Sequence, residues 1–165
     1  MQLGRLNHVG VATPSIERSL ETYRTMFGAE PHGEPFDLPA QGVRVCFVDT
    51  PNSQIELIEP LGDTSPIGNF LQKNPAGGQH HVCFEAADIE EARAWFEGKG
   101  ARILGPTRIG AHGTPVFFLH PKDMGGVLTE IMATPKPCPV PRRRPGSRRR
   151  YCAGTSFRTG PRPSP

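Results

Sequence analysis

Four side chains of the metal-ligating kind recur in this chain of 165 residues at nearly one interval. His8, in Leu6-Asn7-His8-Val9-Gly10-Val11, is followed 48 residues later by Glu56, in Ser53-Gln54-Ile55-Glu56-Leu57-Ile58. His81, in His80-His81-Val82-Cys83-Phe84, is followed 49 residues later by Glu130, in Gly126-Val127-Leu128-Thr129-Glu130-Ile131. A His near the start and a Glu near the end of two successive segments read as one half-site duplicated, and two half-sites facing each other make a four-ligand cage. Two imidazoles with two carboxylates suit a borderline divalent ion such as Co²⁺, Ni²⁺, Zn²⁺ or Mn²⁺ better than Ca²⁺ or Cu(I). A closed structural zinc site would favour cysteines at short spacing. The competing reading is plain: a strand histidine is usually a satisfied polar residue, and Glu56 could form an ion pair on a solvated face. Burying carboxylates in a groove without a cation is costly, and the same pair at equivalent places in both repeats favours the metal.

Such a cage needs two copies of one scaffold. An offset of 73 residues lays His8 on His81, Val9 on Val82, Ile16 on Ile89, Glu17 on Glu90 and Tyr23 on Phe96; one more residue brings Glu56 onto Glu130. Each unit opens with a strand (6–12 and 80–86) rich in β-branched and small residues. A helix follows. In the first unit Thr13-Pro14 supplies an N-cap and a first-turn proline, Ile16, Leu20, Tyr23 and Phe27 form an apolar stripe, and Gly28 ends it. In the second, Asp88 and Glu91 make a capping-box variant ahead of the stripe Ile89, Ala92, Trp95 and Phe96. These stripes read as core. Strands are expected at 42–49 and 54–59, then at 115–120 and 126–132, with a short helix at 67–72 between the units.

The architecture expected is therefore α+β: two paired β-α-β-β-β modules, at about 4–60 and 79–133 with a linker at 61–78, forming one domain over 1–133. Side chains alternate along a strand, so His8 faces the groove while Val9 and Val11 face the helix. Glu130 and Leu128 likewise oppose Val127, Thr129 and Ile131. His80 should point away from His81 and be structural, His112 lies on a glycine-rich loop able to close over the groove, and His120 reads as a turn residue.

Composition sets the remaining bounds. Residues 1–133 carry 10 Lys and Arg against 16 Asp and Glu, a net charge of −6, so the chain's net +3 belongs to the Pro- and Arg-rich stretch 134–165. That stretch reads as a disordered, solvated tail. An acidic folded part without a finger, helix-turn-helix or RNA-binding motif gives no specific nucleic-acid partner. Cys46 and Cys83 fall in apolar runs and show no CxxC spacing, no run is long enough to cross a membrane, and the first strand begins close to Met1; together these predict a cytoplasmic protein.

From Leu6 to Met132 the chain resembles the vicinal oxygen chelate proteins. The resemblance is carried by Asn7-His8-Val9, Ser65-Pro66-Ile67, Phe70-Leu71-Gln72-Lys73-Asn74, Gly77-Gly78-Gln79-His80-His81, Ile109-Gly110-Ala111-His112-Gly113, Phe118-Leu119-His120-Pro121-Lys122-Asp123, and Gly125 through Glu130. It implies a divalent ion, cobalt first, at His8, Glu56, His81 and Glu130, and an acyl-CoA substrate whose (S) and (R) methylmalonyl forms are interconverted through a metal-stabilised enolate. It also implies a homodimer. Glu130 is the first acid/base candidate and Glu56 the second; members with Gln at the latter position carry another glutamate, placed by the resemblance at Val45 here. Two other readings share the fold: a glyoxalase I-type lactoylglutathione lyase, and a non-catalytic ligand-binding or antibiotic-resistance protein.

Overall fold

The computed structural model describes residues 1–135. The tail expected at 134–165 lies, from residue 136 onward, outside the described residues.

One mixed sheet of eight strands organises everything else. Strand β1 (Leu6–Ala12) leads into helix α1 (Ile16–Phe27), followed by β2 (Phe36–Leu38), β3 (Val43–Asp49), β4 (Gln54–Pro60) and helix α2 (Gly68–Lys73). The second unit repeats the order with β5 (Gly78–Ala86), helix α3 (Ile89–Gly98), β6 (Arg108–Ile109), β7 (Pro115–Leu119) and β8 (Thr129–Ala133). Across the sheet the strands run β2-β3-β4-β1-β5-β8-β7-β6. The order is symmetric about the antiparallel β1/β5 pair, with each of these strands also paired in parallel to its own unit's last strand, β4 or β8. The two modules thus meet along the strands that carry the two histidines.

The helices are placed by their caps. Ser15, not Thr13, is the N-cap of α1: its hydroxyl accepts from Arg18 N–H, while Thr13 Oγ1 accepts from Ser15 N–H and organises the turn before it. Pro14 precedes the cap, so the helix begins two residues later than its proline predicts. Gly28 ends α1 in the left-handed conformation at φ 61°, its N–H reaching Arg24 and Tyr23 carbonyls. Asp88 caps α3 through Glu90 and Glu91 N–H, as expected.

Each helix covers one module. Ile16 and Leu20 pack on Cys46, Val48 and Leu57, with Val11 and Tyr23 beside them; Ala92 packs on Ala86, Phe117, Leu119 and Ile131. Two aromatic residues expected in these stripes lie outside. Phe27 is 72% exposed, at the last turn of α1, and Trp95 is 46% exposed because its neighbour Phe96 takes the inward position against Phe117 at 6.3 Å. Successive helical residues differ by about 100° in direction, so only one of the pair faces the sheet. Lys99 Nζ sits 4.9 Å over the Trp95 ring.

The other sheet face is the concave one. Val43, Val45, Phe47 and Ile58 cluster there with Ile67, partly under Phe70 and Leu71, and Cys83, Val116 and Met132 form its counterpart in the second module. Strand β8 starts at Thr129, three residues later than expected, because Gly125 and Gly126 are still turning at φ 65° and 93°.

Candidate metal centre

His8 and His81 lie on the two central strands, and Glu56 and Glu130 on the strands flanking them. Alternation aims all four to the concave face, where they are buried at 1%, 3%, 5% and 6% exposure in the order His8, His81, Glu56, Glu130. One ligand atom from each lies within 4.8 Å of the others. His8 Nε2 is 3.3 Å from His81 Nε2, 3.4 Å from Glu56 Oε2 and 3.5 Å from Glu130 Oε2; His81 Nε2 is 3.2 Å from each carboxylate oxygen. Ligands about 2.1 Å from one ion lie roughly 3.0 Å apart at right angles and roughly 3.4 Å apart at tetrahedral angles. The distances from the two imidazoles, 3.2–3.5 Å, match that scale, so the donor set suits a single small divalent cation in its chemistry and in the spacing of its histidines.

Both imidazoles present Nε2 inward and are held at Nδ1. Asn7 Oδ1 is 3.0 Å from His8 Nδ1, and His80 Nδ1 is 3.0 Å from His81 Nδ1. Sequence position assigns neither partner a role at this centre, and strict alternation puts His80 on the opposite face. The β1/β5 ladder explains the difference. His8 pairs with Cys83 and Leu6 with Phe84, leaving Asn7 extra; Gly10 pairs with His81 and Val11 with Gln79, leaving His80 extra. Two bulges thus occupy equivalent places, each just before a ligand histidine, and a bulge re-aims side chains that strict alternation would oppose. His80 consequently packs edge-on against Phe70 at 5.2 Å and shares the cavity wall with His81. The spacing of the histidines is visible in the sequence as a repeat; the register slip is not.

The loop 110–113 closes against this centre, as its glycines predict. His112 stacks on His8 at 5.3 Å and 15°, lies 4.3 Å from the Phe47 ring, and has Nε2 2.8 Å from Gln54 Oε1. Burial, then the neighbouring His8, pushes its pKa down to about 4, so it is neutral and donates Nε2–H to Gln54. A Cβ at Gly110 would meet Val116 Cγ1 at 2.7 Å and lie 3.6 Å from Glu130 Oε1, which shows how closely the loop approaches the carboxylate. His120 is the turn residue expected, its Nδ1 accepting from Lys122 N–H.

Beside the four ligands opens a cavity of about 300 Å³. Val43, Val45, Ile58, Ile67, Phe118 and Leu128 give it an apolar wall, Glu56, Glu130, His80 and His81 a polar one, and Arg108 contributes a cation. Val45 is 1% exposed and leaves that part of the wall without a carboxylate.

Without metal His81 and the two carboxylates favour their charged forms. Burial works against charge on His81, but hydrogen bonds to Glu130 and Glu56 outweigh it and raise its pKa to about 9. For Glu130 burial is likewise overcome, by hydrogen bonds from His8 and His81, and its pKa falls to about 2. Two pH effects follow from these signs. The raised His81 stabilises the metal-free fold fully below pH 6.5 and loses that contribution as pH rises through about 9; the depressed Glu130 stabilises it above pH 4.5 and loses that contribution as pH falls through about 2. Chelated protein should melt at lower temperature at about pH 9 than at about pH 6.5 in a calorimetric scan. Metal must displace the His81 proton, so the apparent affinity for Co²⁺ should climb between about pH 7 and about pH 9 and then level off. A pH-independent affinity over that range would contradict the assignment of His81 as a ligand.

Comparison with known proteins places this geometry. The sequence profile of the glyoxalase/bleomycin resistance protein/dioxygenase superfamily matches residues 7–118, and the chain belongs to that superfamily. It is 53% identical over 131 residues to the ethylmalonyl-CoA/methylmalonyl-CoA epimerase of Cereibacter sphaeroides, covering 78% of this chain and 97% of that protein. It is also 53% identical over 130 residues to the mitochondrial methylmalonyl-CoA epimerase of Bos taurus, covering 78% and 74%. Among solved structures, a variant of Streptomyces coelicolor methylmalonyl-CoA epimerase in complex with 2-nitronate-propionyl-CoA superposes with a TM-score of 0.73 at 36% identity, over 81% of this chain and 99% of that one. Within the superfamily this chain is an enzyme of the methylmalonyl-CoA epimerase family, an isomerase.

Proposed function

We propose that this enzyme inverts C2 of methylmalonyl-CoA, with residues 1–133 as its catalytic domain, His8, Glu56, His81 and Glu130 holding one divalent ion, Co²⁺ first, and Glu130 and Glu56 exchanging the proton. The observation that carries the reading is the position of the two carboxylates. They arrive from β4 and β8, on opposite sides of the central strand pair, yet their oxygens lie within 4.8 Å of one another. Inversion requires a proton to leave one face of a carbon and return to the other, and two carboxylates approaching from opposite modules suit that demand.

The C2 hydrogen of the substrate lies between a thioester and a carboxylate, so its removal builds negative charge beside an existing one. The ion, when bound, supplies Lewis-acid stabilisation of that charge. In both glutamates Oε2 is the oxygen facing the imidazoles, which leaves Oε1 as the atom for proton transfer. The apolar wall from Val45 to Leu128 receives the methyl group and excludes water. Cys46 and Cys83 are buried free thiols, which supports a reducing compartment, and among the described residues no helix is long and apolar enough to cross a membrane. We assign the cytoplasm on the strength of those free thiols and a homodimer on the strength of the resemblance.

The relatives favour this activity over the lyase and the non-catalytic readings. Purified protein should convert (S)- to (R)-methylmalonyl-CoA, lose the activity after dialysis against a strong chelator, and regain it with Co²⁺. Turnover of the glutathione hemithioacetal instead, or full epimerisation after verified metal removal, would overturn the proposal.

A further inference from the structure

The two ligand histidines are held by unlike partners, and the first belongs to a longer chain of contacts. Asn7 is 2% exposed and uses both ends of its amide: Oδ1 lies 3.0 Å from His8 Nδ1, and Nδ2 donates to Glu85 Oε1 at 2.7 Å. Glu85, 6% exposed, accepts at the same oxygen from Arg5 Nε at 2.7 Å. A carboxylate only accepts, so the amide cannot turn round without setting its carbonyl oxygen against Glu85. Fixing the amide fixes the imidazole. With the Asn7 oxygen toward it, His8 must carry its proton on Nδ1, which leaves the Nε2 lone pair for the centre of the cluster.

We propose that Asn7, locked by Glu85 and Arg5, is a positioning residue that sets the tautomer and angle of His8 for metal binding through Nε2. Glu85 comes from β5 and His8 from β1, so the second module orients the first module's ligand across the strand pair that joins them. The bulge at Asn7 makes this reach possible by turning its side chain to the same side as His8. This rests on the reading of the cluster as a metal site and adds to it a control that lies outside the four ligands.

The test is Co²⁺ affinity of the full chain, followed by competition against a chromophoric chelator, together with epimerisation of (S)-methylmalonyl-CoA. Asn7→Leu keeps the side chain's size and removes both hydrogen bonds; it should weaken Co²⁺ binding by about 10- to 100-fold, the usual effect of losing an outer partner of a ligating histidine. Asn7→Asp combined with Glu85→Gln reverses the direction of the buried hydrogen bond while still presenting an acceptor to His8, and should restore most of the affinity. Glu85→Gln alone lets the amide turn and should give a smaller loss, which serves if Asn7→Leu does not fold. Long-range ¹H–¹⁵N spectra of the Zn²⁺ form should show the His8 proton on Nδ1 in the wild type and the double variant. Folded Asn7→Leu or Glu85→Gln binding Co²⁺ as tightly as the wild type overturns the proposal, and so does failure of the double variant to recover affinity while it folds normally. Wild type that binds Co²⁺ but does not epimerise methylmalonyl-CoA would remove the functional reading and leave the affinity comparison standing.

Discussion

Glu130→Gln should lower the rate of methylmalonyl-CoA epimerisation by at least about 10²-fold and as much as about 10⁴-fold, the range a positioned acid/base group contributes. The residue serves two purposes in the proposed mechanism, and the substitution touches both. Its Oε2 stands 3.5 Å from His8 Nε2 and 3.2 Å from His81 Nε2, so the amide weakens the ligand set. Its second oxygen is lost as a proton carrier at the same time. The effects separate on measurement: metal content reports the first, and turnover at saturating Co²⁺ reports the second. A Glu130→Gln variant fully loaded with metal and still turning over at the wild-type rate would show that Glu130 is a ligand alone. Glu56→Gln should lower turnover comparably, since inversion needs a proton carrier on each face and Glu56 Oε2 stands 3.4 Å from His8 Nε2 and 3.2 Å from His81 Nε2.

Gly10→Ala should be nearly as severe, although Gly10 is neither ligand nor base. Gly10 pairs with His81 across β1/β5, and the His81 ring lies over it so closely that an added Cβ would stand within 2.6 Å of Cε1, Nδ1 and Nε2. The ring has nowhere to retreat, with His80, Phe118 and His8 packed around it at centroid distances of 5.3, 5.7 and 5.4 Å. Gly10 is not among the glycines at positive φ, so alanine is compatible with the backbone and the damage comes from the contact alone. A misplacement of about 1 Å can cost about 10²-fold in rate, and a loss of that order is expected in turnover, with weaker Co²⁺ binding alongside it. Gly98→Ala is the control, because a Cβ there meets nothing within 4 Å. Wild-type activity in folded Gly10→Ala would mean that His81 does not occupy the position described.

These two cases also mark what the chain discloses unaided. The four-residue cluster was legible because the duplication repeats the same residue types at equivalent offsets; His8, Glu56, His81 and Glu130 converge as that pattern predicts. The first strand of each module was legible because β-branched and small residues gather there, whereas the last strand of the second module was placed correctly but begun three residues early. Strands β2 and β6 were not, being three and two residues long at the sheet edges and largely exposed, with too few side chains to show a period. The parts of the centre hidden from the sequence depend on register. Asn7 and His80 reach the ligand histidines only because each is the extra residue of a bulge, and Gly10 matters only because His81 is opposite it; both facts belong to the pairing of β1 with β5, strands from different modules. Periodicity along one strand carries no record of its partner's slip. Exposure of Trp95 has a simpler cause: two adjacent aromatic residues compete for one inward position, and Phe96 holds it.

The most direct measurement is anomalous diffraction at the cobalt edge from crystals of the Co²⁺-loaded chain. The structure predicts one peak per chain, about 2.0–2.2 Å from His8 Nε2, His81 Nε2 and a carboxylate oxygen of both Glu56 and Glu130. A fully active enzyme whose cobalt lies elsewhere, or is bound by only some of these four side chains, would contradict the account.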